Sequence, residues 1–133
     1  MEEIVVRVEA EVNSTEDEGK VEKAVTNIFE TVVVEVKPSR MGGVLYGKAE
    51  GWDALVKFHH LLSLDRIRGA ARKVFFAGLQ GNTIRFCLNK QVAFAGHVSF
   101  CEETGESPLG PLKVAIECSD PQQLIDWLAP RMT

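Results

Sequence analysis

Apolar and polar residues alternate along residues 4–12, IVVRVEAEV. A period of two is typical of a β-strand with one buried face, because successive side chains of a strand point to opposite sides. The same alternation recurs in residues 82–89, 97–101 and 112–118. Clean alternation in several segments indicates a sheet with one face on a core and the other on water or a partner.

Helical spacing separates these strands. Val21, Ala24, Val25 and Ile28 share one helix face, and Ser14 or Thr15 is expected to cap that helix. Residues 31–37 and 44–50 read as two further strands that form a hairpin. Residues 53–62 and 66–77 predict two helices, or one bent helix, and Gly78 is expected to end the second.

The remaining segments complete the predicted order of elements. Residues 89–96, NKQVAFAG, are too many for a two-residue hairpin turn and predict one helical turn closed by Gly96. Asp120, Pro121 and Gln123 have the spacing of a capping box, which predicts a last helix over residues 121–129. The 133 residues suit one domain, 1–133. The predicted fold class is α+β, with a mainly antiparallel sheet, helices packed on one face, and the order β-α-β-β-α-α-β-β-β-α.

Charge is distributed unevenly along the chain. Residues 1–39 carry a net charge of −6, residues 40–100 carry +6, and residues 101–133 carry −4. The total of −4 argues against a general nucleic-acid binder, whereas the basic middle allows a local patch.

The basic middle supplies the candidate site. Guanidinium groups bind phosphate oxygens through two parallel hydrogen bonds, so this cluster of bases suits a polyanion. The alternative interpretation of the same cluster is a solvated helix face or a protein interface. Phe76 and Phe94 do not fit the core pattern, and such rings either stack on bases or are buried at a contact. The candidate contacts to RNA or another polyanion are Arg66, Arg68, Arg72, Lys73, Arg85 and Lys90, with Asn82, Asn89 and Gln91 as polar neighbours.

Other chemistry has weak support. His59 and His60 are adjacent, whereas a metal pair on a helix requires a spacing of four. Glu102, Glu103 and Glu106 form an acidic loop that lacks the alternating ligands of a calcium site. Cys87, Cys101 and Cys118 lie in predicted strands, where we expect buried or half-buried thiols rather than a disulfide framework. We therefore expect no metal, no catalytic group and no cofactor.

Three runs carry a family resemblance: ALVKFHHLLSLDRIRGAARKVF, GNTIRFCLNKQVAFAGHVSF and ESPLGPLKVAIECSDPQQLIDWLAPR. With them, nearly the whole chain resembles an uncharacterised archaeal protein family grouped with RNA-binding proteins. The resemblance implies an α+β fold similar to the large-subunit ribosomal protein that binds 5S ribosomal RNA. It also implies a homodimer, and it brings no catalytic residues.

Three hypotheses follow for function. The first is a non-enzymatic module that binds structured RNA or a ribonucleoprotein. The second is a structural homodimer without nucleic-acid binding, which would use apolar residues on the polar strand faces, namely Val5, Val33 and Cys87. The third, an enzyme, would need an arginine, His97 and an acid such as Glu106 to converge. No apolar run is long enough for a membrane span and no signal peptide is recognisable, so we expect a cytoplasmic protein.

Overall fold

A computed structural model describes residues 3–40, 42–102 and 110–131. In these residues one antiparallel sheet carries helices on a single face, which confirms the predicted α+β class. Its six strands are β1 (Ile4–Asn13), β2 (Val33–Ser39), β3 (Gly42–Glu50), β4 (Leu79–Gln80), β5 (Thr83–Asn89) and β6 (Pro111–Cys118).

Helices fill the intervals between the strands. A short 3-10 turn, Trp52–Leu55, leads directly into the second α-helix. The α-helices are α1 (Glu18–Ile28), α2 (Val56–Leu64), α3 (Arg68–Ala77), α4 (Lys90–Phe94) and α5 (Pro121–Leu128). None of the helices in these residues has the length and hydropathy needed to cross a bilayer.

The strands lie in the order β2-β3-β1-β6-β5-β4, and every neighbouring pair is antiparallel. The first strand of the chain therefore lies inside the sheet, where it pairs with β3 on one side and β6 on the other. Residues that alternate along each strand point either toward the helices or away from them. We call the face that carries no helices the outer face.

The core lies between the helices and the other side of the sheet. Phe58 on α2 stands at its centre, with ring centroids 5.3 Å from Phe29 and 5.7 Å from Phe86. Phe75 on α3 adds a contact of 5.1 Å to Phe86. These residues are fully or almost fully buried, and removing one such ring costs about 3–5 kcal/mol of stability.

The segment after β5 differs in part from the sequence prediction. The predicted helical turn is present as α4, and Gly96 follows it with a φ of 88°. Residues 97–101 do not form the predicted strand, since their pairing with β5 is an isolated bridge between Leu88 and Phe100 rather than a ladder. The short strand β4 covers the other end of the same edge. The observed order is therefore β-α-β-β-α-α-β-β-α-β-α.

The helix ends show which capping predictions hold. Asp120 accepts a hydrogen bond from the backbone N–H of Gln123 at 3.0 Å, which confirms the cap of α5. The prediction for α1 was wrong, because Asp17 rather than Ser14 or Thr15 is its cap. Gly78 does follow α3, but close approach explains it, since an added Cβ would lie 1.8 Å from the carbonyl oxygen of Arg85.

Candidate nucleic-acid interface

The sheet separates the predicted basic residues into two groups. Helix α3 carries Arg68, Arg72 and Lys73 on the helix side of the molecule. Arg85 lies on β5 between the buried residues Ile84 and Phe86, so its side chain points to the outer face. The single patch expected from the sequence therefore does not form, because the sheet lies between its parts.

The helix side retains a concentration of positive charge. Residues 56–77, which cover α2, α3 and the turn between them, contain five Lys or Arg residues and only one acid, Asp65. Asp65 accepts a hydrogen bond from the backbone N–H of Val98 at 3.0 Å and lies 3.2 Å from the His97 ring nitrogen, so its carboxylate faces the segment after α4. The α3 basic surface is defined here as Arg66, Arg68, Arg72 and Lys73.

Two members of this surface, Arg66 and Lys73, are exposed. Arg66 is exposed in the α2–α3 turn, where its φ of 56° is the left-handed conformation that turns the chain into α3. Lys73 is exposed in the middle of the helix, and Arg68 is half-buried at the helix start. These side chains can meet phosphate oxygens without unfolding any part of the helix.

Arg72 is held by contacts within the chain. Its guanidinium donates to the Asp126 carboxylate at 2.7 Å and to the carbonyl of Ala129 at 3.1 Å, which ties α3 to the end of α5. The same group lies 5.1 Å from the centre of the Phe76 ring. Only 19% of the Arg72 side chain is exposed, so its main role is to hold α3 and α5 together rather than to contact a ligand.

Lys90 is a structural residue, contrary to the prediction that it contacts phosphate. Only 4% of it is exposed, and its ammonium donates to the carbonyl of Glu11 at 2.7 Å and to the Glu16 carboxylate at 3.1 Å. Burial alone raises the pKa of Glu16, but hydrogen bonds from Asn13 and the ammonium of Lys90 outweigh it and lower the pKa below its usual value. A buried lysine with these partners is not accessible to a polyanion.

The predicted polar neighbours do not share one place. Asn82 is exposed in the β4–β5 turn. Asn89 lies at the other end of β5, where its side chain caps α4 by accepting from the Val92 N–H at 3.0 Å, and Gln91 is exposed on that helix. Seven strand residues separate the two ends by roughly 20 Å, so these side chains cannot serve one small site.

The two aromatic residues that did not fit the core pattern are both partly exposed. Phe76 on α3 is 40% exposed and Phe94 on α4 is 39% exposed. Each has a cation near its ring, since Lys20 lies 5.9 Å from the centre of Phe94. Only Phe76 adjoins the α3 basic surface.

Two bases that the sequence analysis did not single out, Arg7 and Lys48, lie in a row with Arg85 across the outer face. The strand register places Lys48 beside Arg7, Arg7 beside Ala115, and Ala115 beside Arg85. These residues lie in an open concavity of about 1090 Å³. The alternation marks each of them as outward-facing, but only the strand register shows that they form a row.

Acids balance this row. Arg7 forms an ion pair with Glu117, and Lys48 lies 3.6 Å from Glu50. Glu9 and Glu35 line the same concavity. The outer face therefore offers a mixed surface, which suits a protein partner better than a polyanion.

The histidines and acids considered for a metal site do not come together in the described residues. No group of three or more His, Cys, Asp or Glu residues there could hold a metal ion. His59 stacks on Trp127 with ring centroids 4.4 Å apart, and His60 is exposed. Glu103 and Glu106, two acids of the predicted loop, lie outside the described residues.

Comparison with known proteins assigns the chain to a family. A family model described as RNA binding matches residues 5–118. A UPF0201 protein of Sulfurisphaera tokodaii is 45% identical over 124 residues, which cover 93% of this chain and 86% of that protein. One of Pyrobaculum aerophilum is 46% identical over 129 residues, covering 95% and 90%.

Solved structures agree with this assignment. The crystal structure of a UPF0201 protein from Methanococcus jannaschii is 30% identical, has a TM-score of 0.83, and covers 98% of this chain and 95% of that one. A DUF54 protein from Methanothermobacter thermautotrophicus is 18% identical with a TM-score of 0.63, covers 95% and 96%, and shares the fold. The chain belongs to the archaeal UPF0201 family, whose matching family model is described as RNA binding.

Proposed function

We propose that the protein is a non-enzymatic module that binds structured RNA or a ribonucleoprotein through the α3 basic surface. The observation that carries the proposal is that residues 56–77 contain five bases and a single acid, and that Arg66 and Lys73 are exposed. Phosphate contacts from such side chains supply most of the sequence-independent affinity for nucleic acid. The family description as RNA binding supports the same class of ligand.

The exposed part of the Phe76 ring adds a contact of a different kind. Unpaired bases in loops and bulges stack on aromatic rings and on guanidinium planes. Arg72 holds its guanidinium over the Phe76 ring while Asp126 fixes the guanidinium in turn. The proposed ligand is therefore an RNA with a duplex part for phosphate contacts and an unpaired base near Phe76.

A fold similar to the ribosomal protein that binds 5S ribosomal RNA, which the family resemblance implies, would fit this ligand class. Under the proposal the protein acts in the cytoplasm, together with the RNA that it binds. The acidic segments at both ends of the chain would limit nonspecific binding and favour approach by the basic middle.

A salt titration with two charge-reversal variants tests the proposal. We expect the wild-type protein to bind labelled 5S ribosomal RNA with an affinity that falls steeply as salt increases, measured by fluorescence anisotropy. The double variant Arg66→Glu, Lys73→Glu should lose at least about tenfold in affinity, whereas Arg85→Glu on the outer face should bind as the wild type does. Binding that is absent, independent of salt, or equally weakened by both variants would refute it.

A second candidate function, a homodimer formed through the outer face, is favoured by the apolar residues exposed there. Val33 is 75% exposed and Tyr46 is 40% exposed, while Val5 and Cys87 are half-buried on the same face. The basic row lies beside a row that contains Glu50 and Glu117, since Val5 is opposite both acids in the register. A second copy related by a two-fold axis could therefore set bases against acids.

Sedimentation equilibrium distinguishes this candidate. If the outer face joins two copies, wild-type protein at micromolar concentration should be a dimer and Val33→Asp should shift it toward the monomer. Lys73→Glu on the helix side is the matched control and should leave the mass unchanged. A monomeric wild-type protein would exclude the homodimer while leaving RNA binding to its own test.

A further inference from the structure

Two cysteines lie opposite each other where the chain returns to the edge of β5. An antiparallel bridge joins Leu88 to Phe100. Two backbone hydrogen bonds flank the bridge. The N–H of Cys101 donates to the carbonyl oxygen of Cys87 at 3.1 Å, and the N–H of Asn89 donates to the carbonyl oxygen of Ser99 at 2.8 Å. Because opposed residues in an antiparallel pair advance in opposite directions, this register places Cys87 directly opposite Cys101.

Both cysteine side chains leave the backbone on the outer face. The Phe100 ring packs in the core at 5.8 Å from Phe86, so the next residue, Cys101, points to the other side of the sheet. Cys87 lies between the buried residues Phe86 and Leu88 and points the same way. Each of the two is a thiol and half-buried, and so within reach of a small oxidant, whereas Cys118 is buried on the core side.

We propose that Cys87 and Cys101 are a redox-active pair that forms a reversible intrachain disulfide when the protein meets a hydroperoxide. Opposed residues of a hydrogen-bonded antiparallel pair have Cα atoms about 5.5 Å apart, which lies inside the range that disulfides span. A cross-strand bridge can therefore close with small backbone shifts. The site is separate from the α3 basic surface and stands whether or not that surface binds RNA.

The reaction balances with hydrogen peroxide as the oxidant. One cysteine thiol loses its proton, the thiolate attacks a peroxide oxygen, the O–O bond breaks, and a sulfenic acid forms as the leaving hydroxide takes up that proton and departs as water. The second thiol then attacks the sulfenic sulfur, the S–O bond breaks, and a second water leaves with the disulfide formed. The two sulfurs together lose two electrons and the peroxide gains them.

The position of the pair makes the bridge easy to reduce. Directly opposed strand residues hold their Cβ atoms about 4.5–5.5 Å apart, whereas a relaxed disulfide brings them to about 3.8 Å. The bridge would therefore be strained and partly exposed, which are the properties of labile, regulatory disulfides rather than structural ones.

Oxidation would link the segment after α4 covalently to β5. The chain between the cysteines contains α4 and the turn whose Val98 N–H is held by Asp65. Residues 99–101 pair with β5 through an isolated bridge flanked by two hydrogen bonds, and the Phe100 ring packs on Phe86 of that strand. A covalent link would make that short contact permanent and close a loop around α4.

Peptide mapping after oxidation tests the proposal. Purified protein is treated with hydrogen peroxide, blocked with N-ethylmaleimide in denaturant, digested and analysed by mass spectrometry. We expect a peptide pair joined through Cys87 and Cys101 that lacks two hydrogen atoms, loss of N-ethylmaleimide labelling at both, and retained labelling at Cys118. Dithiothreitol should restore both thiols.

Single substitutions provide the controls. Cys118→Ser should leave the cross-link unchanged, and Cys101→Ser should abolish it while Cys87 becomes a stable sulfenic or sulfinic acid. A bridge to Cys118, a link only between separate chains, or overoxidation of Cys87 and Cys101 in the wild type without a cross-link would each overturn the proposal. Because mapping of the wild-type protein gives the decisive result, a variant that folds poorly does not affect the test.

Discussion

Helix α3 and the β5–α4 segment both belong to the basic middle of the chain, yet the fold uses their charges in opposite ways. Arg66 just before α3 and Lys73 on the helix are exposed and have few acids near them in sequence. In the β5–α4 segment, Arg85 points to a face where acids balance bases, and Lys90 is buried. Equal charges in neighbouring segments can thus be exposed to solvent in one and form a buried structural bond in the other.

Among substitutions in these two regions, removal of the Lys90 charge should cause the largest loss in the free energy of unfolding. Lys90→Met keeps much of the apolar stem but leaves the Glu16 carboxylate and the Glu11 carbonyl without the ammonium. Because breaking a buried pair leaves an uncompensated charge, we expect a loss of about 3 kcal/mol in the free energy of unfolding, measured by urea denaturation.

The double variant Lys90→Met, Glu16→Gln is the matched control for this loss. It should recover part of the stability, since no buried carboxylate then lacks a counter-charge. Unchanged stability in Lys90→Met would mean that Lys90 is solvated and would return it to the candidate ligand surface.

The two exposed phenylalanines offer a direct comparison between the regions. Phe76→Ala should weaken binding to an RNA hairpin by about 1–3 kcal/mol, because a base that stacks on the ring loses its partner. Phe94→Ala, with nearly equal exposure and a cation of its own, should leave the affinity unchanged. Equal losses measured by fluorescence anisotropy would contradict the assignment of the RNA surface to α3.

Arg72 is expected to act through stability and positioning. Arg72→Ala removes the bonds to Asp126 and Ala129, but Asp126 is about half exposed, so the cost should be only about 1 kcal/mol in thermal or urea unfolding. Arg72→Lys should recover little of it, because an ammonium cannot reproduce the fork between α3 and α5. A fully stable Arg72→Ala variant would show that α5 is held by its apolar contacts alone.

The lowered pKa of Glu16 predicts a pH dependence confined to the Lys90 region. A carboxyl whose pKa is lower in the folded state stabilises the fold above its ordinary pKa of about 4.5, and this contribution is lost as pH falls through the folded value. Urea unfolding across this acidic range should show a smaller pH dependence in Glu16→Gln than in the wild type. If the free energy of unfolding depends on pH identically in the two proteins, Glu16 does not contribute to stability at acidic pH.

Arg85→Glu should cause the smallest change in the free energy of unfolding and in RNA affinity. The side chain is exposed on β5, and surface charge changes of this kind alter stability by about 0.5 kcal/mol or less. Any larger change in unfolding or in RNA affinity would indicate that the outer face takes part in function.

Local patterns accounted for much of the fold. The alternation in β1, β5 and β6 correctly assigned their buried faces, and Asp120 with Gln123 correctly placed the start of α5. These features depend on residues that are close in sequence. The helical turn after β5 was also predictable, because a segment of that length must reverse direction and Gly96 can close it.

Contacts between distant residues accounted for the errors. Nothing near Lys90 in sequence indicates burial, since its partners Glu11 and Glu16 lie more than seventy residues earlier. Arg85 was assigned to the α3 patch because spacing along the chain does not reveal which side of the sheet a helix covers. The opposed cysteines, likewise, depend on a register that only the folded chain defines.

The place of β1 inside the sheet has a consequence for synthesis on the ribosome. Its partner on one side, β3, follows within fifty residues, but Ile4 pairs with Cys118 on β6. Until β6 has emerged, the growing chain carries a β1 edge of unpaired backbone groups, which is a template for association with other chains. Folding that must wait for such a distant pairing is expected to be slow, so the nascent chain is where this protein is most exposed to aggregation.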